Sequence, residues 1–193
     1  MKTKTLLIIF SLISIMIKAQ VGNISTIAGI GTAGYSGDSG QAVSAKLNIP
    51  FGMVFDAAGD LYFADEANNV IRKVTTSTGV ITTYAGTYYP TGSNWYYGGD
   101  GGPADSAYLA NPLGIALDAA GNIYIADNKN NVIRKITVST GEISTVAGDI
   151  MNLMGIYAFA GDGGLATDAE LNSPWGVAVD AAGNIYIADQ GLM

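Results

Sequence analysis

The sequence contains no cysteine and no histidine. Without cysteine, neither a disulfide nor a thiolate metal site can form. Without histidine, the chain lacks the commonest general base and the commonest ligand for transition metals. Positive charge is also scarce, with 9 Lys and Arg against 16 Asp and Glu and a net charge of −7. Because nucleic-acid binding depends on basic side chains that neutralise phosphates, this balance argues against a nucleic-acid partner.

The first residues have the layout of a secretory signal. Lys2 and Lys4 precede an apolar run of 12 residues, Leu6–Ile17, and Lys18 and Ala19 follow it. A membrane-spanning helix needs roughly 20 apolar residues, so this run is too short to be an anchor. A basic start, a short apolar run and a small residue are typical of a cleaved signal peptide. We therefore predict a signal peptide over residues 1–19 and a secreted product, residues 20–193, without membrane attachment.

One pattern recurs along the rest of the chain at a spacing of 62 residues. Pro50, Pro112 and Pro174 open the phrases "PFGMVFDAAGDLYFAD", "PLGIALDAAGNIYIAD" and "PWGVAVDAAGNIYIAD". The first two copies continue into "NNVIRKV" or "NNVIRKI" and then into "TYAG" or "TVAG". Several blocks that recur in one order at one spacing indicate a repeat architecture.

Each full copy holds four short apolar segments separated by turn sequences. In the second copy these segments are Gly114–Asp118, Asn122–Asp127, Val132–Thr137 and Glu142–Ala147. Short runs rich in Ile, Val and Tyr and bounded by Gly and Asn predict strands, and hairpin-length breaks predict an antiparallel meander. Because the segments are apolar on both faces, both faces must be covered, as they are in radially stacked four-stranded sheets.

The pattern "PxG[VI]A[VL]DAAGNIYIADxxNNVIRK[VI]" resembles the NHL repeat of β-propellers. It is similar in particular to secreted bacterial members that carry "ST[IV]AG" and "GDGGxAxxAxL" between blades. The resemblance extends from Ile24 to Asp189. It implies an all-β, NHL-type β-propeller fold. Such propellers serve as binding platforms, as sensor domains and in some cases as lyases.

The strand count predicts an incomplete propeller of about three four-stranded antiparallel blades. The repeat units cover residues 48–86, 110–148 and 172–193, the last in part, and residues 24–28 supply a lone closing strand. Closed propellers have 4–8 blades, so the segment is expected to belong to a larger, six-bladed-like ring. Two interpretations stand: a truncated fragment, or a ring assembled from several copies. Open blade edges favour self-association in either case.

Three aspartates end the second strand of their units. Asp65 and Asp127 are each followed seven residues later by an arginine, Arg72 or Arg134, and Asp189 is the third. The favoured interpretation is a structural bond between strands. The alternative is a ring of carboxylates that binds Ca²⁺ at the channel mouth, since hard cations take oxygen ligands. The repeated Gly-Asp pairs of the long connections, at Asp38 and Asp100 for example, are interpreted as turn chemistry, with a calcium or ligand site as the alternative.

The connection after the first unit carries an aromatic-rich insertion. It contains Tyr88, Tyr89, Trp95, Tyr96 and Tyr97, the candidate ligand-binding residues. Tyrosine and tryptophan offer broad amphipathic contact, which suits a protein, peptide or glycan partner. The alternative is that these rings cover the gap between blades. Strand direction alternates within an antiparallel blade. The long connections between blades are therefore expected to lie on the same face of the propeller as the loops between the second and third strands.

No catalytic constellation stands out in the sequence. We therefore predict a non-catalytic binding or scaffold module without a cofactor, Ca²⁺ being the alternative above. The runner-up is a propeller enzyme of the lyase or calcium-dependent lactonase type, incomplete in this chain. The resemblance implies that the lyases rely on histidine, which is missing. RNA binding, known among basic NHL proteins, is opposed by the acidic charge and by the signal sequence.

Overall fold

The computed structural model describes residues 25–89, 97–149 and 160–190. Those residues form ten β-strands and five short 3-10 turns. The strands are β1 (Pro50–Phe55), β2 (Leu61–Asp65), β3 (Val70–Thr75), β4 (Val80–Ala85), β5 (Pro112–Leu117), β6 (Ile123–Asp127), β7 (Val132–Thr137), β8 (Glu142–Ala147), β9 (Pro174–Val179) and β10 (Ile185–Asp189). The 3-10 turns are Ala42–Ser44, Glu66–Asn68, Ala104–Ser106, Asn128–Asn130 and Ala166–Asp168.

The strands form three antiparallel sheets in chain order. Strands β1 to β4 make one four-stranded sheet, β5 to β8 make a second, and β9 pairs with β10. We call these sheets blade 1, blade 2 and blade 3. The predicted meander is confirmed, as is the all-β architecture of an incomplete propeller. The predicted strands of blade 2 agree with the structure to within two residues: β5 runs from Pro112 to Leu117 and not from Gly114 to Asp118, and β6 begins at Ile123 and not at Asn122.

The Asp-Ala-Ala-Gly turns join the first two strands of each blade. The Asp118 Oδ1 atom accepts hydrogen bonds from the backbone N–H groups of Ala120 and Asn122, both at 2.9 Å. Gly121 has a φ of +83°, a left-handed conformation that glycine adopts without a steric penalty. Asp56 and Asp180 make the same pair of bonds. These aspartates therefore act as turn residues, since each binds its own backbone two and four positions on.

The apolar faces of neighbouring blades pack against each other. Tyr62 and Ile71 of blade 1 lie in one buried cluster with Ile115, Ile125 and Ile136 of blade 2. The short "AxxAxL" segment between the blades adds Ala104, Ala107 and Leu109 to the same cluster. A second cluster joins blade 2 to blade 3, and there Ala126 and Ile133 are packed by Val177 and Ile187. Burial on both faces explains why the strands lack a polar face.

The innermost strands of the three blades approach one another at glycines. A Cβ atom on Gly52 would lie 2.5 Å from the Leu113 carbonyl oxygen, and one on Gly114 would lie 2.7 Å from the Gly176 Cα. These distances are too short for any side chain, because the neighbouring atoms belong to the backbone. The strand pairing of β5 with β6 also shifts register between Pro112 and Ile115, around this glycine. The repeated Pro-x-Gly sequence therefore brings the inner strands into backbone contact.

The long connections follow a different course from the predicted one. Ile81 of the outer strand β4 exchanges backbone hydrogen bonds with Ser39 and Gly40, and Ala42 N–H donates to Gly79 O at 2.8 Å. This part of the connection therefore lies along the outer edge of blade 1 and reaches the β3–β4 turn. The expectation that the connections stay on one face is wrong, because the unpaired edge of β4 offers hydrogen-bond partners to the passing chain.

The lone closing strand predicted over residues 24–28 is not seen as a strand where the structure describes it, from residue 25 onward. Ala28 packs against the outer face of blade 1, and Gly29 N–H donates to Ala42 O at 2.9 Å. To close a ring, residues 24–28 would have to pair with a strand of another blade. The domain boundaries, including this strand, stay a prediction.

Among the described residues, two blade faces have no other blade packed against them. On blade 1, Met53 and Phe55 are exposed, whereas the matching Ile115 and Leu117 of blade 2 pack in the cluster shared with blade 1. On blade 3, Tyr186 is 59% exposed, whereas its counterpart Tyr124 in blade 2 is 4% exposed. Within the described ranges, no helix has the length and apolar character needed to cross a membrane.

Candidate functional site

A fully buried guanidinium group lies in blade 2. Arg134 projects from β7, and its Nη1 atom lies 3.4 Å from Asp127 Oδ2, while Nη2 lies 2.5 Å from Asp100 Oδ1. The carbonyl oxygens of Gly98 and Tyr108 accept hydrogen bonds from the same two nitrogens at 3.2 and 3.3 Å. We call this arrangement the arginine cluster. Two carboxylates and two carbonyls match the planar fork of donors that a guanidinium presents.

Asp127 connects the arginine cluster to the backbone. Its Oδ1 atom accepts the Ala110 N–H at 2.7 Å, and its Oδ2 atom accepts the Asn130 side-chain amide at 2.9 Å. Ala110 precedes the inner strand β5, and Asn130 belongs to the loop between β6 and β7. One carboxylate therefore fixes two loops and an arginine at the same end of the blade.

Tyr97 belongs to the arginine cluster. Its hydroxyl donates to Asp100 Oδ2 at 2.7 Å and also contacts Thr145 Oγ1 of β8 at 2.8 Å. Its ring lies 4.9 Å from the Arg134 Cζ atom, within cation–π distance. Tyr97 was predicted as a ligand-binding residue, and the structure places it under the guanidinium.

Blade 1 contains a copy of the arginine cluster. Arg72 Nη1 lies 3.3 Å from Asp65 Oδ2, and Nη2 lies 2.7 Å from Asp38 Oδ1. The Ser36 carbonyl accepts from Nη2 at 3.3 Å, and the Tyr35 ring lies 5.0 Å from the Arg72 Cζ atom. The repetition of both carboxylates, one carbonyl and the tyrosine in two blades points to a structural role, since architecture repeats while binding sites are usually single.

The predicted metal candidates are engaged by protein donors. Asp65 and Asp127 are buried against arginines, as the favoured interpretation of the sequence expects. Asp189, at the same position of blade 3, accepts the Asn172 N–H at 2.9 Å. Among residues 25–89, 97–149 and 160–190, no group of three or more acidic side chains could hold a metal ion. The Ca²⁺ alternative stays a prediction.

Burial controls the electrostatics of these carboxyls. Desolvation raises the pKa of Asp127 from its ordinary 3.8 to about 6, against the opposing effect of Arg134. Desolvation also raises the pKa values of Asp65 and Asp189. Asp100 differs, because the Tyr97 hydrogen bond and the charge of Arg134 outweigh its burial and lower its pKa. The two carboxylates on one guanidinium therefore titrate in opposite directions from their ordinary value.

The opposite shifts predict opposite pH effects for two substitutions. The pKa of Asp127 is higher in the folded chain than in the unfolded chain, so between about pH 4 and pH 6 the folded chain holds a proton that the unfolded chain has lost. The contribution of Asp127 to the free energy of unfolding therefore falls as the pH rises through this range. We expect the stability deficit of Asp127→Asn relative to wild type to shrink by on the order of 2 kcal/mol between pH 4 and pH 7. Urea unfolding across this range measures the deficit.

Asp100→Asn is the matched control for this prediction. The lowered pKa of Asp100 gives a contribution that is present above its unfolded pKa and lost as pH falls. The deficit of Asp100→Asn should therefore be smaller at pH 3 than at pH 7. A deficit of Asp127→Asn that widens with rising pH would contradict the assignment.

The remaining predicted aromatics form a surface with two other tyrosines. Tyr88 stacks on Tyr35, with ring centroids 4.1 Å apart and planes within 7°. Tyr89 lies 6.2 Å from Tyr108 and donates its hydroxyl to Leu109 O at 2.7 Å. Tyr88 and Tyr108 are 39% and 42% exposed. We call Tyr35, Tyr88, Tyr89 and Tyr108 the tyrosine strip. Trp95 and Tyr96, the other two candidates, lie outside the described residues.

Sequence reasoning missed the asparagines that connect successive blades. The Asn69 side-chain oxygen accepts the Asn111 N–H at 2.9 Å, and Asn131 accepts the Ser173 N–H at 2.8 Å. Asn69 and Asn131 both adopt left-handed backbone conformations, with φ of 60° and 55°. The signal was the repeated "NN" before β3 and β7, since asparagine tolerates this conformation better than most residues. These bonds fix the spacing between blades.

Two family models match the chain. A model described as "Teneurin NHL domain" matches residues 93–156, and one described as "NHL repeat" matches residues 171–191. The first model spans the connection into blade 2 and blade 2 itself, and the second spans blade 3. Both matches agree with the repeat found in the sequence.

Individual proteins match over different lengths. Human Teneurin-4 is 43% identical over 93 residues, which cover 44% of this chain and 3% of that protein. Human NHL repeat-containing protein 2 is 24% identical over 196 residues, which cover 90% of this chain and 26% of that protein. The chain thus spans about a quarter or less of these relatives. A solved structure from Bacteroides thetaiotaomicron, of unknown function, aligns with a TM-score of 0.59 at 23% identity, covering 77% of this chain and 35% of its own.

Proposed function

We propose, on the premise that this chain belongs to the NHL-repeat β-propeller family, that it is a segment of a secreted, non-catalytic binding module for protein or peptide partners. The observation that carries the proposal is the tyrosine strip. Its rings come from two successive connections and are mounted on the rigid blades, the usual place for recognition surfaces.

The tyrosine strip is held in place before any partner arrives. The Arg72 guanidinium lies under the Tyr35 ring, and Tyr88 lies on the other side of that ring, so the three groups form a stack. The Tyr35 hydroxyl is bound to Thr83, and the Tyr89 hydroxyl to the Leu109 carbonyl. Rings that are already ordered lose little conformational entropy on binding, which favours affinity.

The polypeptide partner is preferred on chemical grounds. Tyrosine is enriched at protein interfaces, where its ring covers apolar surface and its edge stays polar. Secretion is the second part of the proposal, and it is supported by the arrangement of Lys2, Leu6–Ile17 and Ala19. Residues 1–19 lie outside the described ranges.

The burial and ion pairing of the strand-end aspartates support a non-catalytic role. A lyase or lactonase would need a free acid or base, and histidine and cysteine are absent from the sequence. Asp65 and Asp127 are buried and ion-paired. A substrate would have to displace an arginine to reach either carboxylate.

The tyrosine strip predicts a specific pattern of binding losses. A peptide array and a glycan array are probed with the protein, and the best ligand is titrated. We expect a peptide ligand whose affinity falls at least about tenfold in Tyr88→Ala and in Tyr108→Ala, because central aromatic contacts dominate binding energy. Trp95→Ala and Tyr96→Ala test the rest of the predicted aromatic loop.

Tyr186→Ala is the matched control, since Tyr186 is an exposed tyrosine of blade 3. It should leave the affinity unchanged. If the arrays gave glycan ligands and no peptide ligand, the tyrosine strip would be a sugar-binding surface and the polypeptide partner would be wrong. Binding that none of the strip variants alters would remove this surface from the proposal.

A further inference from the structure

The rings of the tyrosine strip form two pairs. Tyr88 and Tyr89 are neighbours in the chain, but Tyr88 stacks on Tyr35, whereas Tyr89 lies beside Tyr108. In each pair one ring is the more exposed, Tyr88 at 39% and Tyr108 at 42%. A partner that reaches the strip therefore meets one exposed tyrosine ring from each pair.

The backbone beside the exposed rings is already hydrogen-bonded within the chain. Thr87 N–H donates to Ala107 O at 2.8 Å. Tyr108 N–H donates to Gly98 O at 3.2 Å, and the Tyr108 carbonyl accepts from Arg134 at 3.3 Å. A partner that binds as an added β-strand needs unpaired backbone groups, and these groups are occupied. Recognition at the strip therefore depends on the tyrosine side chains.

Negative charge is exposed beside the strip, whereas positive charge is buried beneath it. The Tyr35 hydroxyl donates to Asp38 Oδ2 at 3.1 Å, and the Asp38 side chain is 40% exposed. The Asp100 side chain, which shares the Arg134 guanidinium with the Tyr108 carbonyl, is 35% exposed. The arginine that each of these acids binds is fully buried and is shared by two carboxylates. A partner with positive side chains therefore complements this surface.

We propose that the tyrosine strip binds a proline-rich peptide that carries regularly spaced basic residues and adopts the polyproline II conformation. This inference rests on the proposed function and names its partner more narrowly. Proline has no backbone N–H group, and a polyproline II chain makes no internal hydrogen bonds, so such a peptide needs no strand partner. Its pyrrolidine rings pack on aromatic side chains, which line the grooves that recognise such segments.

The period of the polyproline II helix suits both the rings and the charges of the strip. The helix has three residues per turn, so every third residue lies on the same face. In a repeat of two prolines and one arginine, the prolines face the exposed rings of Tyr88 and Tyr108. The arginines form one row, which faces the carboxylates of Asp38 and Asp100. The peptide is stiff before it binds and therefore loses little conformational entropy.

The test uses the peptide "PPRPPRPPRPP" as the probe, titrated into the protein by calorimetry. In one comparison peptide every proline is replaced by alanine, and in the other every arginine is replaced by glutamate. We expect saturable binding of the probe and an affinity at least about tenfold lower for each comparison peptide, because each loses one of the two kinds of contact. Raising the NaCl concentration from about 0.05 M to about 0.5 M should weaken the binding of the probe by screening.

Variants of the protein locate the site of probe binding. Tyr88→Ala and Tyr108→Ala should each weaken the binding of the probe at least about tenfold. Tyr88→Phe keeps the ring and should retain binding. Tyr186→Ala, at an exposed tyrosine of blade 3, is the matched control and should bind the probe as wild type does. Thermal unfolding of each variant separates a loss of affinity from a loss of folding.

The proposal is overturned if the probe shows no saturable binding, if either comparison peptide binds equally well, or if both alanine variants of the strip bind the probe as wild type does. This failure is distinct from a failure of the proposed function. If the peptide array yields a proline-free ligand whose binding requires Tyr88 and Tyr108, the strip is a polypeptide-binding surface and only the proline-rich partner is wrong. If no peptide on the array depends on the strip, both proposals are wrong.

Discussion

Replacing Arg134 by methionine is expected to lower the free energy of unfolding by about 3–5 kcal/mol, the usual cost of removing one partner from a buried ion pair. The Arg134 side chain is fully buried, and so is that of Asp127. Methionine fills much of the same volume but donates nothing, so the buried Asp127 carboxylate loses its ion pair and the carbonyls of Gly98 and Tyr108 lose the guanidinium hydrogen bonds. Urea unfolding at pH 7 measures the loss.

Two further variants separate charge from packing. In Arg134→Met combined with Asp127→Asn, the buried charge is gone while an amide oxygen can still accept the Ala110 N–H, and we expect part of the loss to be recovered. Lys135→Met is the control for the neighbouring position, and it should cost less than about 1 kcal/mol, because partly exposed cations contribute little. A single Arg134→Met variant as stable as wild type would show that the arginine cluster does not hold the blade.

Replacing Gly114 by alanine is expected to cost about 3 kcal/mol, at the upper end of ordinary overpacking. The new Cβ would lie 2.7 Å from the Trp175 carbonyl oxygen and from the Gly176 Cα. Both atoms belong to the backbone of the neighbouring inner strand, so relief requires blade 3 to move away from blade 2. Thermal or urea unfolding detects the loss, and the change should extend to contacts such as that of Ile133 with Val177.

The repeat provides its own control for this substitution. Gly176 occupies the same position in blade 3, but a Cβ there meets only the Ala188 Cβ, at 3.4 Å. Gly176→Ala should stay within about 1 kcal/mol of wild type, because the contact is close to ordinary and alanine restricts the unfolded chain. Gly52→Ala, at 2.5 Å from the Leu113 carbonyl, should resemble Gly114→Ala. Equal effects at Gly114 and Gly176 would contradict the close approach of the blades.

The strands could be predicted because each is specified locally. Ile, Val and Tyr between Gly-rich turns define β6 and β7, and the spacing of 62 residues repeats them as a unit. The pairing of Asp127 with Arg134 also followed from sequence, since the two residues lie on the same face of adjacent antiparallel strands, where Arg134 is opposite Ile125, two positions before Asp127. The second carboxylate, Asp100, could not be assigned to the arginine, because 34 residues separate them and the course of the connection decides whether they meet.

The aromatic loop shows the limit of composition as a guide. Tyr97 was grouped with its neighbours as a candidate ligand-binding residue, yet its ring lies against Arg134. The sequence held a signal for this, since Tyr35 stands at the same repeat position and lies against Arg72. Tyr88, which has no such counterpart in the repeat, presents a ring that is 39% exposed. Departure from the repeat was a better guide to surface exposure than aromatic content.

The path of the connection along the outer edge of its own blade has a consequence for synthesis on the ribosome. Asp38 and Tyr35 emerge before blade 1, but their partners Arg72 and Thr83 emerge 34 and 48 residues later. At translation rates of 5–20 residues per second, the segment waits roughly 2–10 s before these contacts can form. Each blade then closes on a segment that its own unit has already delivered, so the arginine clusters of successive blades form one after another as the chain elongates.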